Sequence, residues 1–572
     1  MRIESRTLPD ALPELGAIAP LLRRLYAARG VCSEQELNRG VKALLPFDRL
    51  KGMHQAVAVL QEAVTHRQPI IIVGDFDADG ATASCVAVLG LRALGAGRVD
   101  YLVPNRFEYG YGLTPEIVEV ALQRQPQVLV TVDNGISSVD GVAAARAAGL
   151  KVVVTDHHLP GTQLPEADAI VNPSQPGCEF PSKAIAGVGV IFYVMLALRA
   201  SLREAGWFGP SRPEPNLAEL LDLVALGTVA DVVPLDANNR ILVHQGLCRI
   251  RSGRCRPGIR ALLDVARRPA ERLVSTDLGF IIGPRLNAAG RLDDMSLGIE
   301  CLLTENESLA RDMAAELDGL NRDRKAIERD MQQQALALLE RPGVDESALP
   351  FGLCLFQPDW HQGVIGILAS RLKERYHRPV IAFAEAGPGE LKGSARSVAG
   401  LHIRDALDAV AARHPGLISK FGGHAMAAGL SLPAAHFEQF SQAFDAEVRR
   451  QLCAEDLTGR LLSDGELCAD EFTLELAAQL REAGPWGQHF PEPGFHGEFS
   501  LIQQRLVGDR HLKMVLQPAG CAQLLDAIAF HIDPAQWPNP SVRQVLAAYT
   551  LDINEYRGKQ SLQLMVKHLQ PV

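Results

Sequence analysis

Nowhere in these 572 residues does an apolar run approach the ~18 residues that a membrane-spanning helix needs. The opening stretch, Met1 to Asp10, is polar and broken by Pro9, unlike a secretion signal. The ten cysteines are scattered, without a CxxC pair, in a chain large enough to fold without staples. Reduced thiols and a cytoplasmic address are therefore expected, with no membrane partner. There are no internal repeats, no low-complexity tracts and no strand–GxGxxG–helix fingerprint of a dinucleotide site. Excess positive charge is also missing: the net charge is −10 and the pI about 5.9. Taken alone this weighs against a nucleic-acid partner, because phosphate binding needs a positive surface. A carboxylate-rich metal site would supply several of those negative charges, however, and bound cations would reverse the local field. Arg249, Arg251, Arg254, Arg256 and Arg260 form one basic cluster, read first as a solvated face.

With 47% hydrophobic and 22% charged residues the chain is an ordinary globular protein, too long for one core. At ~150 residues per domain about four domains are expected. Residues 1–50 read as a helical preface, with Ser33 and Glu36 spaced as a capping box. Residues 51–236 alternate strands (70–73, 99–103, 128–132, 151–155) with helices, the pattern of a parallel sheet covered on both faces. Residues 237–345 read as helical. They end in a stretch, 305–340, almost free of Gly and Pro, which as one helix would span roughly 50 Å. Two shorter helices broken near Gly319 are the alternative. A second, smaller α/β pattern fills 346–452, with glycine-rich loops expected at 393–397 and 422–425. In 453–572 the alternation of Leu512, Met514 and Leu516, and of Leu562, Leu564 and Val566, predicts a small β-barrel.

Three of the buried strands in 51–236 end in metal-ligand residue types: Asp75, Asp77 and Asp79 after the first, Asp133 after the third, Asp156-His157-His158 after the fourth. In open α/β sheets ligands bind at the carboxyl ends of parallel strands. So many carboxylates in one place would repel one another unless a cation neutralised them. Mostly Asp with one or two His favours Mg²⁺ or Mn²⁺, and the imidazole tilts the choice to Mn²⁺; zinc usually takes more nitrogen or sulfur. Two ions ~3.5–4 Å apart suit in-line attack on phosphorus. No Ser, Cys or Lys in these motifs looks like an activated nucleophile, so hydrolysis by metal-activated water is the sharper reading. A lone Asp after a strand is more often a helix N-cap; the whole constellation is not explained that way.

The Asp77-Ala78-Asp79-Gly80 loop, Asp133-Asn134-Gly135, Asp156-His157-His158 and Asp231 resemble the four ordered motifs of the DHH phosphoesterase superfamily. Gly422-Gly423-His424-Ala425-Met426-Ala427-Ala428-Gly429 looks like the signature of the DHH-associated domain. Three further stretches are similar to the single-strand-specific exonucleases of that superfamily: Asn105-Arg106 with Gly110-Tyr111-Gly112-Leu113, then Pro284 to Arg291, then Trp360 to Gly366. The resemblance implies a 5′→3′ exonuclease that removes mononucleotides from single-stranded DNA in repair and recombination. It implies two metal ions, held by Asp77, Asp79, Asp133, His157 and Asp231, with Asp133 bridging. Asp156 would orient an imidazole from behind the ligands, and His158 would face the scissile phosphate. Some superfamily members carry a histidine four residues before the first motif aspartate; here that position is Val73, and Asp75 is the expected substitute. The C-terminal barrel looks like an OB-fold, a common single-strand binder.

Arg285, Asn287 and Arg291 combine two guanidiniums with an amide, a way of holding phosphates bidentately, although a structural turn is also open. Arg106 and Tyr111 are candidates for substrate contact, as are Ser394, Arg396, Gly422, Gly423 and His424, whose loops would offer backbone N–H groups to a phosphate. Phe107, Tyr109 and Tyr111 would either stack bases or pack in the core; Trp486 and Phe490 are stacking candidates in the barrel region. Two lobes joined by a long helix would leave a cleft that admits one strand and excludes duplex. The expected protein is a monomeric, cytoplasmic enzyme, with single-strand-binding protein and a helicase as the partners that the family implies. Rival readings are a phosphoesterase of small substrates such as oligonucleotides or cyclic dinucleotides, and a catalytically silent single-strand-binding scaffold. The connector and barrel argue against the first, the intact acids against the second.

Overall fold

The computed structural model describes residues 1–105, 109, 112–339, 349–508 and 510–572. Its first element is a strand, β1 (Arg2–Ser5), where a purely helical preface is expected; it pairs with a short strand at 460–463. The rest of the preface is a helix, Pro20–Ala27, and three 3-10 turns. Glu36 accepts hydrogen bonds from the backbone N–H of Ser33 (3.1 Å) and of Cys32 (3.0 Å), the acidic half of a capping box.

A five-stranded parallel sheet follows, made of β2 (Ile70–Val73), β3 (Val99–Leu102), β4 (Val128–Val132), β5 (Lys151–Thr155) and β6 (Ala169–Val171). The order is β3-β2-β4-β5-β6. The β-branched runs of β2 and β4 are buried along their whole length, as strands covered on both faces must be. The helices Pro115–Leu122 and Val139–Ala147 pack Ile117, Val118, Val142 and Ala145 on one face. β6 was not foreseen: three residues carry no periodicity. The order makes β2, β4 and β5 neighbours, and their register, Val73 beside Thr131 and Val132 beside Thr155, brings the three carboxyl ends level. Adjacent strands are ~4.8 Å apart, so residues just past those ends converge within a few ångströms.

The connector is a single helix, Glu307–Leu339, 33 residues or roughly 50 Å long. It runs unbroken through Gly319, where a Cβ would meet nothing within 4 Å. The chain divides into two compact units within this helix: residues 5–318 with 462–572, and 319–461 with 1–4.

The second unit holds β7 (Leu353–Phe356), β8 (Val380–Gly387), β9 (Glu390–Arg396), β10 (Lys420–Gly423) and β11 (Ala427–Pro433), in the order β10-β11-β9-β8-β7. The two glycine-rich stretches are therefore strands rather than loops. Gly393 to Arg396 lie in β9, between β8 and β11; Gly422 and Gly423 pair with Gly429 and Ala428. Gly393 answers a close approach, since a Cβ there would sit 2.5 Å from the ring of Phe383.

The last strands are β12 (Arg460–Ser463), the partner of β1, and a closed barrel of β13 (Phe495–Val507), β14 (His511–Pro518), β15 (Leu525–Phe530), β16 (Gln544–Tyr556) and β17 (Lys559–Pro571). Leu512, Met514, Leu516, Leu564 and Val566 point into its core. Trp486 and Phe490, the stacking candidates, are buried against each other and against Tyr26, with ring centroids 5.1–6.2 Å apart. They are core, because the aromatic faces are already covered.

Candidate metal centre

The loop after β2 turns directly into the helix Ala78–Ala93, which Asp77 caps: its Oδ1 accepts from the N–H of Asp79 (2.9 Å) and Gly80 (3.0 Å). The N-cap role and a ligand role are compatible, since capping engages this one oxygen. Asp79, in the first turn, is buried and takes two bonds from the start of another helix, Gly187–Glu204: Oδ2 from Gly187 N–H (2.7 Å) and Oδ1 from Val188 N–H (2.9 Å). Asp133 follows β4 in the left-handed region, φ +62°, uncommon for a residue with a Cβ. Next to it Asn134 donates to the carbonyls of Val73 (3.1 Å) and Val132 (2.9 Å), tying the ends of β2 and β4 together. His157 and His158 follow β5, and Asp231 caps the end of the helix Leu221–Ala230.

Four of these segments meet at one imidazole. His157 Nε2 lies 3.0 Å from Asp133 Oδ1, 3.5 Å from Asp231 Oδ2 and 3.9 Å from Asp79 Oδ2. Three sets of donor atoms fall within 4.8 Å of one another: Asp75, Asp77 and Asp133; Asp79, His157 and Asp231; Asp133, His157 and His158. Asp133 thus belongs to the all-carboxylate set and touches the imidazole of the second. Val73, where some superfamily members have histidine, is fully buried in the sheet, and Asp75 belongs to the all-carboxylate set.

Electrostatics supports a cation here. Burial, reinforced by the charge of Asp77, pushes Asp79 up to about 7. Burial and the neighbouring carboxylates hold Asp133 and Asp231 well above the usual carboxylate range. Asp231 Oδ2 is buried and has no hydrogen-bond donor among the described residues. Such groups ionise together only when positive charge is brought among them. Oxygen donors with one imidazole fit Mn²⁺ or Mg²⁺, and no cysteine belongs to the three sets.

Asp156 is differently placed. Its Oδ1 accepts from His158 Nδ1 (2.8 Å) and from the N–H of His157 (2.7 Å) and His158 (3.1 Å), and its Oδ2 from Ile136 N–H (2.9 Å). Burial alone would raise this carboxyl, but the hydrogen bond and charge of His158, the N–H of Ile136 and the charge of His157 together outweigh it, and the group lies below its ordinary value. His158 is raised to about 9: burial pulls it down, and the bond to Asp156 with the charges of Asp75 and Asp77 overcomes that. Asp156 therefore fixes the histidine pair from behind.

The remaining candidates separate. Asn287 Oδ1 accepts from the N–H of Ala78 (2.8 Å), at the Asp77 loop. Arg285 is braced by Asp318 (2.8 Å) and the carbonyl of Ile281 (2.6 Å). Both side chains are engaged by protein groups. Arg291 is half-buried in the last turn of the same helix, Gly283–Leu292. Arg106 and Tyr111, with Phe107, lie outside the described residues; Tyr109 packs half-buried on the apolar cluster beneath the sheet edge. In the second unit Arg396 donates to Ser394 Oγ (3.0 Å) and the carbonyl of Ala395 (2.9 Å), while Gly422 and Gly423 lie in edge strand β10 and His424 in the turn to β11. Of the arginine cluster, Arg251 and Arg256 are spent on the carbonyls of Leu273, Leu302 and Leu303, closing helix ends. Sequence reasoning missed Gly187 and Val188, because a backbone N–H ligating Asp79 leaves no side-chain signal.

Comparison with known proteins agrees with this arrangement. The family model described as DHH family, N-terminal domain, matches residues 69–228, the DHHA1 domain matches 350–450, and the RecJ OB domain matches 463–568. The protein named single-stranded-DNA-specific exonuclease RecJ from Dickeya dadantii is 60% identical over 566 residues, 99% of this chain and 97% of that protein. Its namesake from Escherichia coli is 59% identical over 570 residues, 100% of this chain and 98% of that one. The crystal structure of RecJ in complex with Mn²⁺ from Thermus thermophilus superposes with a TM-score of 0.81 at 29% identity, covering 100% of this chain and 79% of that one. A Mg²⁺ complex of RecJ from the same organism gives 0.75 at 28% identity, covering 100% and 78%. With this fold, this ligand geometry and near-full-length identity of about 60%, the chain belongs to the RecJ family of the DHH phosphoesterases.

Proposed function

We propose that this protein is a single-stranded-DNA-specific exonuclease that shortens strands from the 5′ end to mononucleotides by metal-dependent hydrolysis. Near-full-length identity to proteins named single-stranded-DNA-specific exonucleases carries the reading as far as the exonuclease activity; the 5′ end and the mononucleotide product rest on the resemblance of the motifs. The carboxylate centre at the ends of β2, β4 and β5 supplies its chemistry. Asp75, Asp77 and Asp133 would hold one ion, and Asp79, His157 and Asp231 the other, with Asp133 shared. When bound, two Mn²⁺ or Mg²⁺ ions supply positive charge at the phosphoryl oxygens and lower the pKa of water. The protein does the placing. The helix Gly187–Glu204 aims its first N–H groups at Asp79 and fixes both carboxylate oxygens. Asn134 locks the ends of β2 and β4, and with them the spacing of Asp77 and Asp133. His158, oriented by Asp156, suits an oxygen of the scissile phosphate.

Arg291, Ser394, Arg396, Gly422, Gly423 and His424 are proposed to contact the strand, with Arg106 and Tyr111; Arg285 and Asn287 act one step removed. All ten cysteines are free, four of them exposed, as suits a reducing cytoplasm, and no helix among the described residues is long and apolar enough to cross a membrane. A monomer working beside single-strand-binding protein and a helicase completes the proposal.

The test uses a single-stranded oligonucleotide labelled at either end, with Mn²⁺, Mg²⁺ or EDTA, and a matched blunt duplex. Release of the 5′ label first, as a mononucleotide, with metal and from single strands only, supports the reading. Equal rates on duplex, or DNA bound but uncut with either metal, would sink it.

A further inference from the structure

Phe280 is 80% exposed, more than any other large apolar side chain among the described residues. Single exposed apolar residues are common; three observations set this one apart. It sits at the centre of a π-helical turn, Leu278–Ile282, whose flanking residues Leu278 and Ile282 are fully buried. Such turns are rare and are frequently found at functional sites. The turn is also held rather than frayed. Gly283 N–H donates to the carbonyl of Leu278, and Arg285 clasps the carbonyl of Ile281 while anchored on Asp318. Finally, the turn lies on the residues just before Asp231. The Cβ position of Gly279 is 3.2 Å from Val229, and that of Gly283 is 3.1 Å from Ala230. Val232, next after Asp231, is itself 60% exposed at φ +62°, an outlying conformation for a β-branched residue. The same segment continues into the helix that carries Asn287 and Gly290 against the Asp77 loop. One short stretch thus packs against both ligand loops and carries an exposed aromatic ring.

We infer that Phe280 is a stacking platform for a nucleobase next to the scissile phosphodiester, and so a determinant of the preference for unpaired DNA. The inference rests on the proposed function. A ring face accepts any base, which suits an enzyme that must degrade every sequence. A base at an unpaired end can turn its face to the ring, whereas a base inside a duplex must first be unstacked and unpaired.

The experiment compares the full-length parent with Phe280→Ala, Phe280→Leu and Phe280→Trp. Substrates are an oligothymidylate and the same strand with abasic sites at its first two 5′ positions, and Mn²⁺ dependence and melting serve as controls of the metal centre. Ala and Leu should each lose about tenfold in kcat/KM on normal DNA, mainly through KM, with little further loss on the abasic strand. Trp should restore the parent value, and its fluorescence should be quenched by oligothymidylate in Ca²⁺. Parent-like activity of the Leu variant, or an abasic penalty in the Ala variant as large as the parent's, overturns the inference. If the parent itself leaves DNA uncut, the functional reading fails; quenching of the Trp variant still decides the stacking, and its absence overturns the platform.

Discussion

The side-chain oxygen of Asn287 accepts a hydrogen bond, 2.8 Å long, from the backbone N–H of Ala78, 209 residues earlier in the chain. Ala78 opens the helix that Asp77 caps, so this bond fixes the loop that presents Asp77 and Asp79. Partners of this kind, behind the ligands, typically set metal affinity by ~10–100-fold. Asn287→Ala should raise the Mn²⁺ concentration for half-maximal activity about tenfold and leave melting in EDTA nearly unchanged. A titration of initial rate against Mn²⁺ reads both this and any loss in the rate at saturation.

Gly290, three residues on, touches the same loop. A Cβ there would lie 1.9 Å from the carbonyl oxygen of Phe76, a backbone atom that cannot step aside. Gly290→Ala should push the helix Gly283–Leu292 off the loop and cost about 1–3 kcal/mol. Calorimetry should show the lower melting temperature, and the Mn²⁺ requirement should rise in parallel. An unchanged requirement would show that the loop holds its position without this contact.

Asp133 is the carboxylate with most to lose and most to give. Crowded by Asp75, Asp77, Asp79 and Asp231, it is held well above the usual carboxylate range, and its donor atoms fall in two of the three sets. Asp133→Asn should abolish hydrolysis, by a factor of about 10³ or more. In EDTA the variant should melt at or above the parent temperature, since a carboxyl that burial and its neighbours disfavour is replaced by a neutral amide. Added Mn²⁺ should stabilise the parent far more than the variant.

The metal-free protein should lose stability steadily as pH rises from about 4 to 9. Asp79 keeps its proton in the fold up to about 7, whereas the unfolded chain releases it near 3.8, so the folded state binds the extra proton and stability falls across that interval. His158 is raised from 6.5 to about 9, so its contribution is complete below 6.5 and disappears as pH climbs through 9. Melting in EDTA across this range should show the decline. Asp79→Asn should flatten its lower half and His158→Gln its upper half.

Much of this was legible because the chemistry is local in sequence. Short β-branched runs ending in Asp or His mark strand ends, and adjacency of β2, β4 and β5 needs only a parallel sheet to become a site. The helix Glu307–Leu339 was readable from the near absence of Gly and Pro. What was not legible depends on contacts distant in sequence. Nothing in the sequence shows that Arg285 meets Asp318 or that Asn287 meets Ala78. The glycines of β9 and β10 looked like loops because glycine marks both a turn and a close approach; the ring of Phe383 at Gly393 and the backbone of Ala427 and Ala428 at Gly423 show the close approach. Trp486 and Phe490 looked available until Tyr26, some 460 residues away, covered their faces.

The pairing of β1 with β12 bears on the order in which the chain is made. Arg2 N–H bonds to Gly459 and Arg6 N–H to Ser463, and Arg29, with its guanidinium fully buried, forms two hydrogen bonds with Asp464, 435 residues later. During vectorial synthesis these early residues must wait, unpartnered, while almost the whole polypeptide emerges. At about 5–20 residues per second that delay is on the order of half a minute or more. The α/β sheet of residues 70–171 can close in the meantime without them. A fusion placed before Arg2 therefore threatens the last step of assembly rather than the first, and would show itself as slow maturation of an otherwise folded enzyme.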